Sequence, residues 1–595
     1  MVLPKVFASE ETWHVRFLLD MYKQRRSLCN GLICACIVAA GVLLTYPIAE
    51  MGFQDDWSYV RTALEFARTG HFVYNGWATA MLGWIIPWSA LFIKAFGFSF
   101  TVVRLSMLPV TMACIYLFHE SLVRFGIRGR NAVLGALTLG LSPIFLPMAA
   151  SYMTDVAGLF VIVLCLYLCQ RAVAAHSDRA AVLWLCCAAA SNVVGGTVRQ
   201  LSWLGALVMV PSTAWLLRRR RGVVATGISL WVMSILGVLA CLHWWKLQPY
   251  SVPEHILQGP VTAHMMHHLA GILIKSFLCL LLLLYPILVA WLPAARRLKR
   301  AAAIRIGVAV LVLVVFLWRV RTPDDWLAPW LTHVIQSLMR ESGEFPGVTE
   351  TPWSLPVRAA ISVLVVASAL LVGEALLPIL RRKSKNTSGL EPVMRQDLLW
   401  LLGPFSLSYI LMLLPRGLYA LLYDRYLLGL MPLATIFLIR LYQQVIGDNL
   451  PAISFLMLGA FGFFSIAGTH DWFAANRARI VAVEEIRATG VPKTAIQGAF
   501  EYDGWTQIEA AGFVNEERIE VPAGAFHRNM RMYQLPEKCW HFFGWYAPSI
   551  DPKYLIVSSP SSCFADSTFP PVTFRTWLPP FQRTIYVQRM KSDRK

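Results

Sequence analysis

Residues 51–59 read MGFQDDWSY and place two adjacent carboxylates, Asp55 and Asp56, just beyond the apolar run 31–48. Charged side chains beside an apolar membrane segment are costly and usually serve a function. If the run crosses a bilayer, both carboxylates emerge at one face of the membrane. The fold therefore depends on whether this run spans a membrane, and the function depends on the side at which it ends.

The composition is that of a membrane protein. Of the 595 residues, 57% are hydrophobic and 15% are charged, and the mean hydropathy is +0.55, whereas soluble proteins carry roughly 25% charged residues. Only helices and closed barrels satisfy their backbone in lipid, and barrel strands are about ten residues long with alternating polarity. Long apolar runs recur at residues 31–48, 131–150, 156–170, 222–242, 269–294, 301–318, 359–380, 398–414, 427–439 and 451–467. The pattern predicts a polytopic α-helical membrane protein.

The net charge of +19 comes from basic residues concentrated in short loops between the apolar runs. This is the positive-inside pattern, and we interpret the charge as membrane orientation rather than as a nucleic-acid surface. The basic segment 23–26 precedes the first run without a small-residue cleavage site, so we expect a first transmembrane helix, about residues 28–48, rather than a cleaved signal peptide. With the N-terminus in the cytoplasm, this helix would end at the outer face and place Asp55 and Asp56 there.

The same loop charges divide the chain into three parts. We predict a cytoplasmic tail (1–27), a transmembrane domain of about thirteen crossings (28–468) and an extracytoplasmic C-terminal domain (469–595). The basic loops alternate correctly only if residues 49–98 form one long outer loop. The active face and the C-terminal domain would then lie on the same side of the membrane.

The long outer loop is predicted to hold two helices lying in the membrane interface, at about 57–69 and 79–96. The second is rich in Trp and Phe, an interfacial composition. In the alternative, residues 79–96 cross the membrane and force the basic loop RFGIRGR (124–130) outside.

The composition changes beyond residue 469. Strand-like pieces such as YLIVSS (554–559) and TIYVQR (584–589) alternate with turn-forming residues, which indicates a small α/β domain. Its only cysteines are Cys539 and Cys563, and in an oxidising compartment they either form a disulfide or remain two free thiols.

The topology gathers ionisable residues at the outer face. A carboxylate can accept the proton of an attacking hydroxyl as a general base, and cations can hold a phosphate. Several of these residues also have a purely structural explanation. Asp155 would cap a helix, Asp424 and Arg425 would form a structural pair, and the histidines of residues 255–268 would belong to a polar loop. No Walker A, HExxH, GxSxG or CxxC motif is present to indicate a soluble-enzyme mechanism. The candidate site residues are Asp55, Asp56, Asp155, Arg199, Arg416, Arg425 and His255.

Several motifs resemble the GT-C membrane glycosyltransferases, the group that contains protein O-mannosyltransferases and the lipid A aminoarabinose transferase. These motifs are QDDWSY (54–59), GFSFTVVRLSML (97–108), SYMTDV (151–156), TVRQLSW (197–203) and YDRYLLGLMPL (423–433). The resemblance implies a GT-C fold and a polyprenyl-phosphate sugar as donor.

The resemblance also implies roles for individual residues. An acidic residue of the first outer loop acts as catalytic base, which corresponds to Asp55 with Asp56 as the alternative, and the second acidic residue corresponds to Asp155. Arg199 and Arg425 fall where phosphate contacts are expected. The basic residue that the aminoarabinose transferase carries in its first loop has no counterpart in YNGWATAMLGW (74–84), so phosphate binding must draw on other cations.

The leading hypothesis is an inverting hexosyl- or pentosyltransferase of the bacterial plasma membrane. It would move a sugar from a polyprenyl-phosphate donor to a hydroxyl of a glycolipid, polysaccharide or protein. It would need no cofactor; in an alternative, a divalent cation binds Asp55 and Asp56. The competing function is a transporter or flippase for a lipid-linked or anionic substrate, for which pseudo-symmetric halves and broken helices near the midplane are expected.

The orientation can be tested directly. Because the basic loops should remain in the cytoplasm, a reporter fused after residue 468 should lie outside the cytoplasm and one inserted near residue 127 inside. Alkaline phosphatase and fluorescent-protein fusions at both sites measure this. A cytoplasmic reporter after residue 468 would overturn the assignment of every candidate residue to the outer face.

Overall fold

The computed structural model describes residues 7–254, 259–294, 300–319, 326–331, 333–339, 353–381, 396–527 and 542–591. Ten helices within these ranges are long and apolar enough to cross a membrane. They span Arg25–Leu44, Phe100–Arg124, Thr154–Val173, Asp178–Val198, Arg221–Lys246, Ala263–Leu283, Leu355–Leu377, Leu399–Tyr419, Asp424–Val445 and Ala452–Ala488. The predicted fold class, a polytopic helical membrane protein with a small sheet at its C-terminus, is confirmed; the count of thirteen crossings remains a prediction.

The helices follow one another in chain order. The first nine are α1 (Phe7–Leu44), α2 (Asp56–Thr69), α3 (Ile85–Phe96), α4 (Phe100–Leu105), α5 (Leu108–Arg124), α6 (Gly129–Gly140), α7 (Phe145–Ala149), α8 (Thr154–Val173) and α9 (Asp178–Gly195). The remaining twelve are α10 (Val210–Leu216), α11 (Arg221–Lys246), α12 (Ala263–Leu283), α13 (Tyr285–Leu288), α14 (Trp291–Ala294), α15 (Arg300–Arg319), α16 (Val334–Met339), α17 (Leu355–Arg381), α18 (Gln396–Tyr419), α19 (Met431–Val445), α20 (Ala452–Ala488) and α21 (Phe500–Ala511).

The loop after α1 contains the two predicted helices. Helix α2 ends where Gly70 adopts a left-handed conformation (φ 75°), which glycine reaches without a Cβ clash. Helix α3 has 12 residues and rises about 18 Å at 1.5 Å per residue, too short for a hydrocarbon core of about 30 Å. Its length supports the single outer loop over a crossing at residues 79–96.

Helix α20 connects the membrane domain to the C-terminal sheet. It runs unbroken for 37 residues from Ala452 to Ala488, about 55 Å, and so continues through residue 469, where the sequence analysis placed a domain boundary. The C-terminal half of α20 packs against the sheet, so the two parts share one rigid element.

The C-terminal sheet is small and mixed. Its strands are β1 (Ile496–Gln497), β2 (Tyr554–Val557), β3 (Ala565–Asp566), β4 (Val572–Arg575) and β5 (Gln582–Arg589). Strand β1 pairs in parallel with β2, whereas β5 pairs antiparallel with β2, β3 and β4. The two segments predicted as strands, 554–559 and 584–589, contain β2 and most of β5.

Of the two cysteines in the predicted disulfide, one lies within the described residues. Cys563 is disulfide-bonded, while Cys539, its expected partner, lies outside the described residues.

A buried ion pair fixes the start of α2. The Asp56 carboxylate is fully buried and lies 3.3 Å from Nε of Arg104 in α4. It also accepts hydrogen bonds from the backbone N–H of Phe53 (2.6 Å) and of Tyr152 (3.2 Å). Arg104 in turn donates to the carbonyls of Ala49 (2.7 Å) and Met51. This node joins the loop after α1 to α4 and to the segment before α8.

Replacing Arg104 with Gln should destabilise the fold strongly. Removing one partner of a buried pair leaves an uncompensated charge and costs about 3–5 kcal/mol. The matched control is Arg61→Gln, which removes a pair with Glu65 on the surface of α2 and should cost about 0.3–0.5 kcal/mol. Thermal unfolding of both purified variants measures the difference; equal melting temperatures would contradict a central role for the Asp56–Arg104 pair.

Candidate active site

Asp55 occupies the N-cap position of α2, and its side chain is held by two partners. Its Oδ1 accepts a hydrogen bond from Nε1 of Trp77 (2.9 Å), and its Oδ2 lies 3.2 Å from NH2 of Arg425. The carboxylate is 18% exposed, so it remains accessible to a substrate.

Four predicted site residues form one continuous chain of charges. Arg425 bridges from Asp55 to Asp155, with its NH1 3.8 Å from Oδ2 of Asp155. The other Asp155 oxygen is bound by NH1 of Arg199. These residues come from α2, from the start of α8, from the turn after α9 and from the 3-10 helix Asp424–Leu430. The structure thus brings together Asp55, Asp155, Arg199 and Arg425, which are far apart in sequence.

Three guanidinium groups surround one aromatic ring in the same region. The ring centroid of Tyr426 lies 5.0 Å from Cζ of Arg416, 5.1 Å from that of Arg199 and 5.9 Å from that of Arg425. Cations attract the ring face, so Tyr426 contributes to holding the three arginines together, alongside Asp155, which lies against both Arg199 and Arg425. Arg416 is also paired with the Glu254 carboxylate.

A cavity of about 370 Å³ opens beside this cluster. One part of its wall is charged and contains Asp155, Arg199, Glu254, Arg416 and Arg425; Asp55, which pairs with Arg425, is not among the lining residues. The rest is mainly apolar. Apolar and aromatic lining residues include Tyr59, Leu201, Trp203, Leu204, Leu207, Leu242, Trp245, Met412, Leu413, Pro415, Tyr419 and Tyr426.

The cations of this wall have unused hydrogen-bonding capacity. Nε and NH1 of Arg425 and Nε of Arg416 are buried and make no hydrogen bond with any described residue. An unpaired buried N–H costs free energy, and Arg425 NH1 lies 3.8 Å from Asp155 Oδ2, which is also buried without a hydrogen bond to any described residue. The cavity therefore combines an apolar wall with a charged wall whose hydrogen-bonding groups are not all used.

Asp56, the alternative to Asp55, faces the other way. Both of its oxygens are engaged in the buried node with Arg104, and it does not line the cavity. Because the two carboxylates have separate partners, they do not jointly present oxygens to one cation. Within the described residues, no group of three or more His, Cys, Asp or Glu side chains is placed to hold a metal. Asp56 is thus placed to position the loop, and the choice of catalytic carboxylate stays a prediction.

His255, a predicted phosphate contact, lies outside the described residues.

Three residues near the site were missed by the sequence analysis. Trp77 orients Asp55, Tyr426 gathers the arginines, and the His333 ring lies 4.2 Å from that of Tyr423, with Nδ1 3.4 Å from Nε2 of Gln54. Trp77 and Tyr426 stand within quoted motifs, but an aromatic residue in an apolar context gives no sign of such a role. His333 is a lone histidine without a motif.

The surroundings of His333 affect its protonation. Loss of hydration lowers the pKa of His333 well below its usual range, and the positive charges of Arg425 and Arg416 lower it further. The imidazole is therefore neutral at pH 7 and can accept or donate a hydrogen bond beside Asp55's loop.

No family model matches the chain, and no curated protein matches it significantly. Among solved structures, ArnT from Cupriavidus metallidurans bound to undecaprenyl phosphate is 14% identical, over 94% of this chain and 98% of that chain, with a TM-score of 0.34. The archaeal oligosaccharyltransferase AglB from Archaeoglobus fulgidus, in complex with an inhibitory peptide and a dolichol-phosphate, is 11% identical over 76% of this chain and 57% of its own, with a TM-score of 0.36.

The S. cerevisiae protein O-mannosyltransferase Pmt1-Pmt2 complex bound to the sugar donor is 12% identical over 38% of this chain, with a TM-score of 0.31, and the match spans a third (33%) of that chain. Protein O-mannosyltransferases are also among the enzymes that the sequence motifs resemble. At these scores the similarity assigns neither a substrate nor a site residue to this chain.

The neutral His333 predicts a pH effect on stability. Its folded-state pKa is depressed, so below about pH 6.5 the unfolded chain binds a proton that the folded chain does not. Acidification should then destabilise the protein, by at most about 1.4 kcal/mol per pH unit from this group. Melting temperatures between pH 7.5 and pH 5 should fall less steeply in His333→Gln than in the unmutated protein.

The control for this effect is His71→Gln, which changes an exposed histidine just after α2 and should leave the pH dependence unaltered. If the melting temperature of His333→Gln fell with pH as steeply as that of the unmutated protein, His333 would be hydrated and would titrate normally in the folded state.

Proposed function

We propose that the chain is a membrane glycosyltransferase that moves a sugar from a polyprenyl-phosphate donor to a hydroxyl acceptor. The observation that carries the proposal is the cavity with an apolar wall on one side and under-bonded arginines on the other. A polyprenyl-phosphate sugar has the matching parts, an apolar chain and an anionic phosphate.

The apolar wall is suited to the lipid part of the donor. Leu204 and Leu207 lie in the segment after α9, Leu242 lies in α11, and Met412 and Leu413 lie in α18. A prenyl chain entering between membrane helices would bury apolar surface there, at roughly 25 cal/mol for each Å² removed from water.

The arginines are suited to the phosphate. Arg425 has two buried nitrogens without a hydrogen bond, Nε and NH1. Arg199 and Arg416 lie at the same ring of Tyr426. Guanidinium groups bind phosphate oxygens in a planar, bidentate manner, and the same contacts would stabilise the phosphate as it leaves.

Asp55 is the best candidate for the general base. In the proposed step the acceptor oxygen attacks the anomeric carbon while its proton passes to Asp55. The bond from that carbon to the phosphate oxygen breaks, and polyprenyl phosphate leaves with its electron pair. Attack opposite the leaving group inverts the anomeric centre. Arg425 lies between Asp55 and Asp155, so it can hold the Asp55 carboxylate in place beside the proposed phosphate contact.

Two substitutions separate binding from chemistry. Arg425→Gln should weaken binding of undecaprenyl phosphate by about tenfold or more, because a charged hydrogen bond contributes roughly 1.5–3 kcal/mol. Asp55→Asn should retain that binding but lower the rate of sugar transfer about 10²–10⁴-fold, the usual cost of losing a general base. Native mass spectrometry measures binding. Incubation with radiolabelled polyprenyl-phosphate sugars and an envelope extract measures transfer.

The control is Arg128→Gln, which changes an exposed arginine paired with Asp448, away from the cavity. Melting curves on the same samples exclude unfolding. Normal undecaprenyl phosphate binding by folded Arg425→Gln would refute the phosphate contact. Full transfer by Asp55→Asn would refute the base assignment, and movement of the labelled lipid across the membrane without transfer would favour a flippase.

A further inference from the structure

The turn between β4 and β5 exposes large apolar side chains. Trp577 is 42% exposed and Phe581 61% exposed, and Pro579 and Pro580 between them are also exposed. The turn is closed by hydrogen bonds from the Phe581 N–H to the Leu578 carbonyl and from the Thr576 N–H to the Phe581 carbonyl, both 3.0 Å. The apolar tip is therefore a fixed feature rather than a loose end.

The tip is attached to α20 at one defined level. The backbone N–H groups of Trp577 and Leu578 donate to the two carboxylate oxygens of Asp471, at 2.7 and 2.9 Å. The Trp577 ring stacks on His470 at 4.3 Å. Two hydrogen bonds and a stacked ring fix the tip beside residues 470–471.

That level is where α20 leaves the bilayer. Asp471 is the twentieth residue of α20 and the first charged carboxylate or amine along it, and about 20 helical residues cross a hydrocarbon core. Just beyond Asp471, Arg477 donates to the carbonyls of Tyr46 and Ile48, which follow the span Arg25–Leu44 of α1, so the ends of both spans lie in the same region.

The tip also lies on the lipid-facing side of α20. Leu456 and Phe463 are exposed on α20, and residues seven apart share a helix face. His470 and Arg477 continue this face outward at the same seven-residue spacing. The surface around Trp577 is therefore continuous with a surface that faces the acyl chains.

The charges around the tip suit an anionic membrane surface. Arg575 in β4 is exposed and lines a groove together with His470, Arg477 and Trp577. Tryptophan and basic side chains are enriched at the level of lipid headgroups, and basic groups near the surface are attracted by anionic lipids.

We propose that the β4–β5 turn, Thr576–Phe581, inserts into the headgroup region of the outer-facing leaflet and anchors the C-terminal sheet to the bilayer. Trp577 and Phe581 contact the upper acyl chains, while Arg477 and Arg575 contact lipid phosphates. The direction in which α20 crosses the bilayer decides only which leaflet the turn enters. The proposal does not rest on the proposed catalytic activity.

Depth-dependent quenching tests the anchor. Phe581→Cys, labelled with an environment-sensitive fluorophore, is placed in nanodiscs of phosphatidylcholine and phosphatidylglycerol. The matched control is Ala488→Cys at the far end of α20, about 25 Å further from the bilayer at 1.5 Å per residue. The unmutated protein, treated identically, provides the background from its exposed cysteines, Cys29, Cys36 and Cys187.

A lipid carrying a doxyl group high on its acyl chain should quench the label at residue 581 about threefold more than at residue 488, and aqueous iodide should show the reverse order. Iodide quenching at residue 581 equal to that at residue 488, without doxyl quenching, would place the tip in water and overturn the proposal. Protection of residue 581 from both quenchers would indicate a protein partner on the tip and would also overturn it.

Discussion

The buried pair between Asp56 and Arg104 is the interaction on which the rest of the site depends. Asp56 receives two backbone N–H groups besides the guanidinium, and one of them belongs to Tyr152, three residues before Asp155. Fixing Asp56 therefore fixes Asp55 at the start of α2 and Asp155 at the start of α8 in the same frame. Such a pair contributes little net stability because both ions lose their hydration, but breaking it is expensive, which gives the loop one geometry.

The ion pairs beside the cavity are also buried, but not all of their hydrogen-bonding groups are satisfied. Asp155 is 1% exposed and Arg425 9% exposed, so each needs a partner in a low-dielectric setting. Asp155 lies against two arginines, but its Oδ2 and two nitrogens of Arg425 make no hydrogen bond within the described part of the chain. A purely structural network would be expected to satisfy all of its donors. The unsatisfied groups of this network are the reason for proposing a phosphate contact there.

Sequence reasoning reached the membrane class and the convergence of Asp55, Asp155, Arg199 and Arg425, because loop charges and apolar runs determine which segment ends share a face. It could not choose between Asp55 and Asp56. Neighbouring residues at a helix start point about 100° apart, and which one pairs with Arg425 depends on Arg104, whose role is not visible in its local sequence. The roles of Trp77 and Tyr426 were missed for a related reason. In a sequence, an aromatic residue that orients a charged side chain cannot be distinguished from one that lies in the membrane interface.

The C-terminal part of the chain also contributes to the position of Asp55. Arg479 in α20 and Glu501 in α21 form a fully buried ion pair of 2.8 Å, and the other Glu501 oxygen accepts the N–H of Gln54 at 3.3 Å. Asn476 of α20 donates to the Gly52 carbonyl at 3.1 Å. The loop 49–56 is thus held from one side by Arg104 and from the other by α20 and α21. Since Asp55 belongs to this loop, movement of the C-terminal half of α20 would shift the carboxylate relative to Arg425. The C-terminal part of the chain therefore helps to position Asp55, although none of its strands lines the cavity.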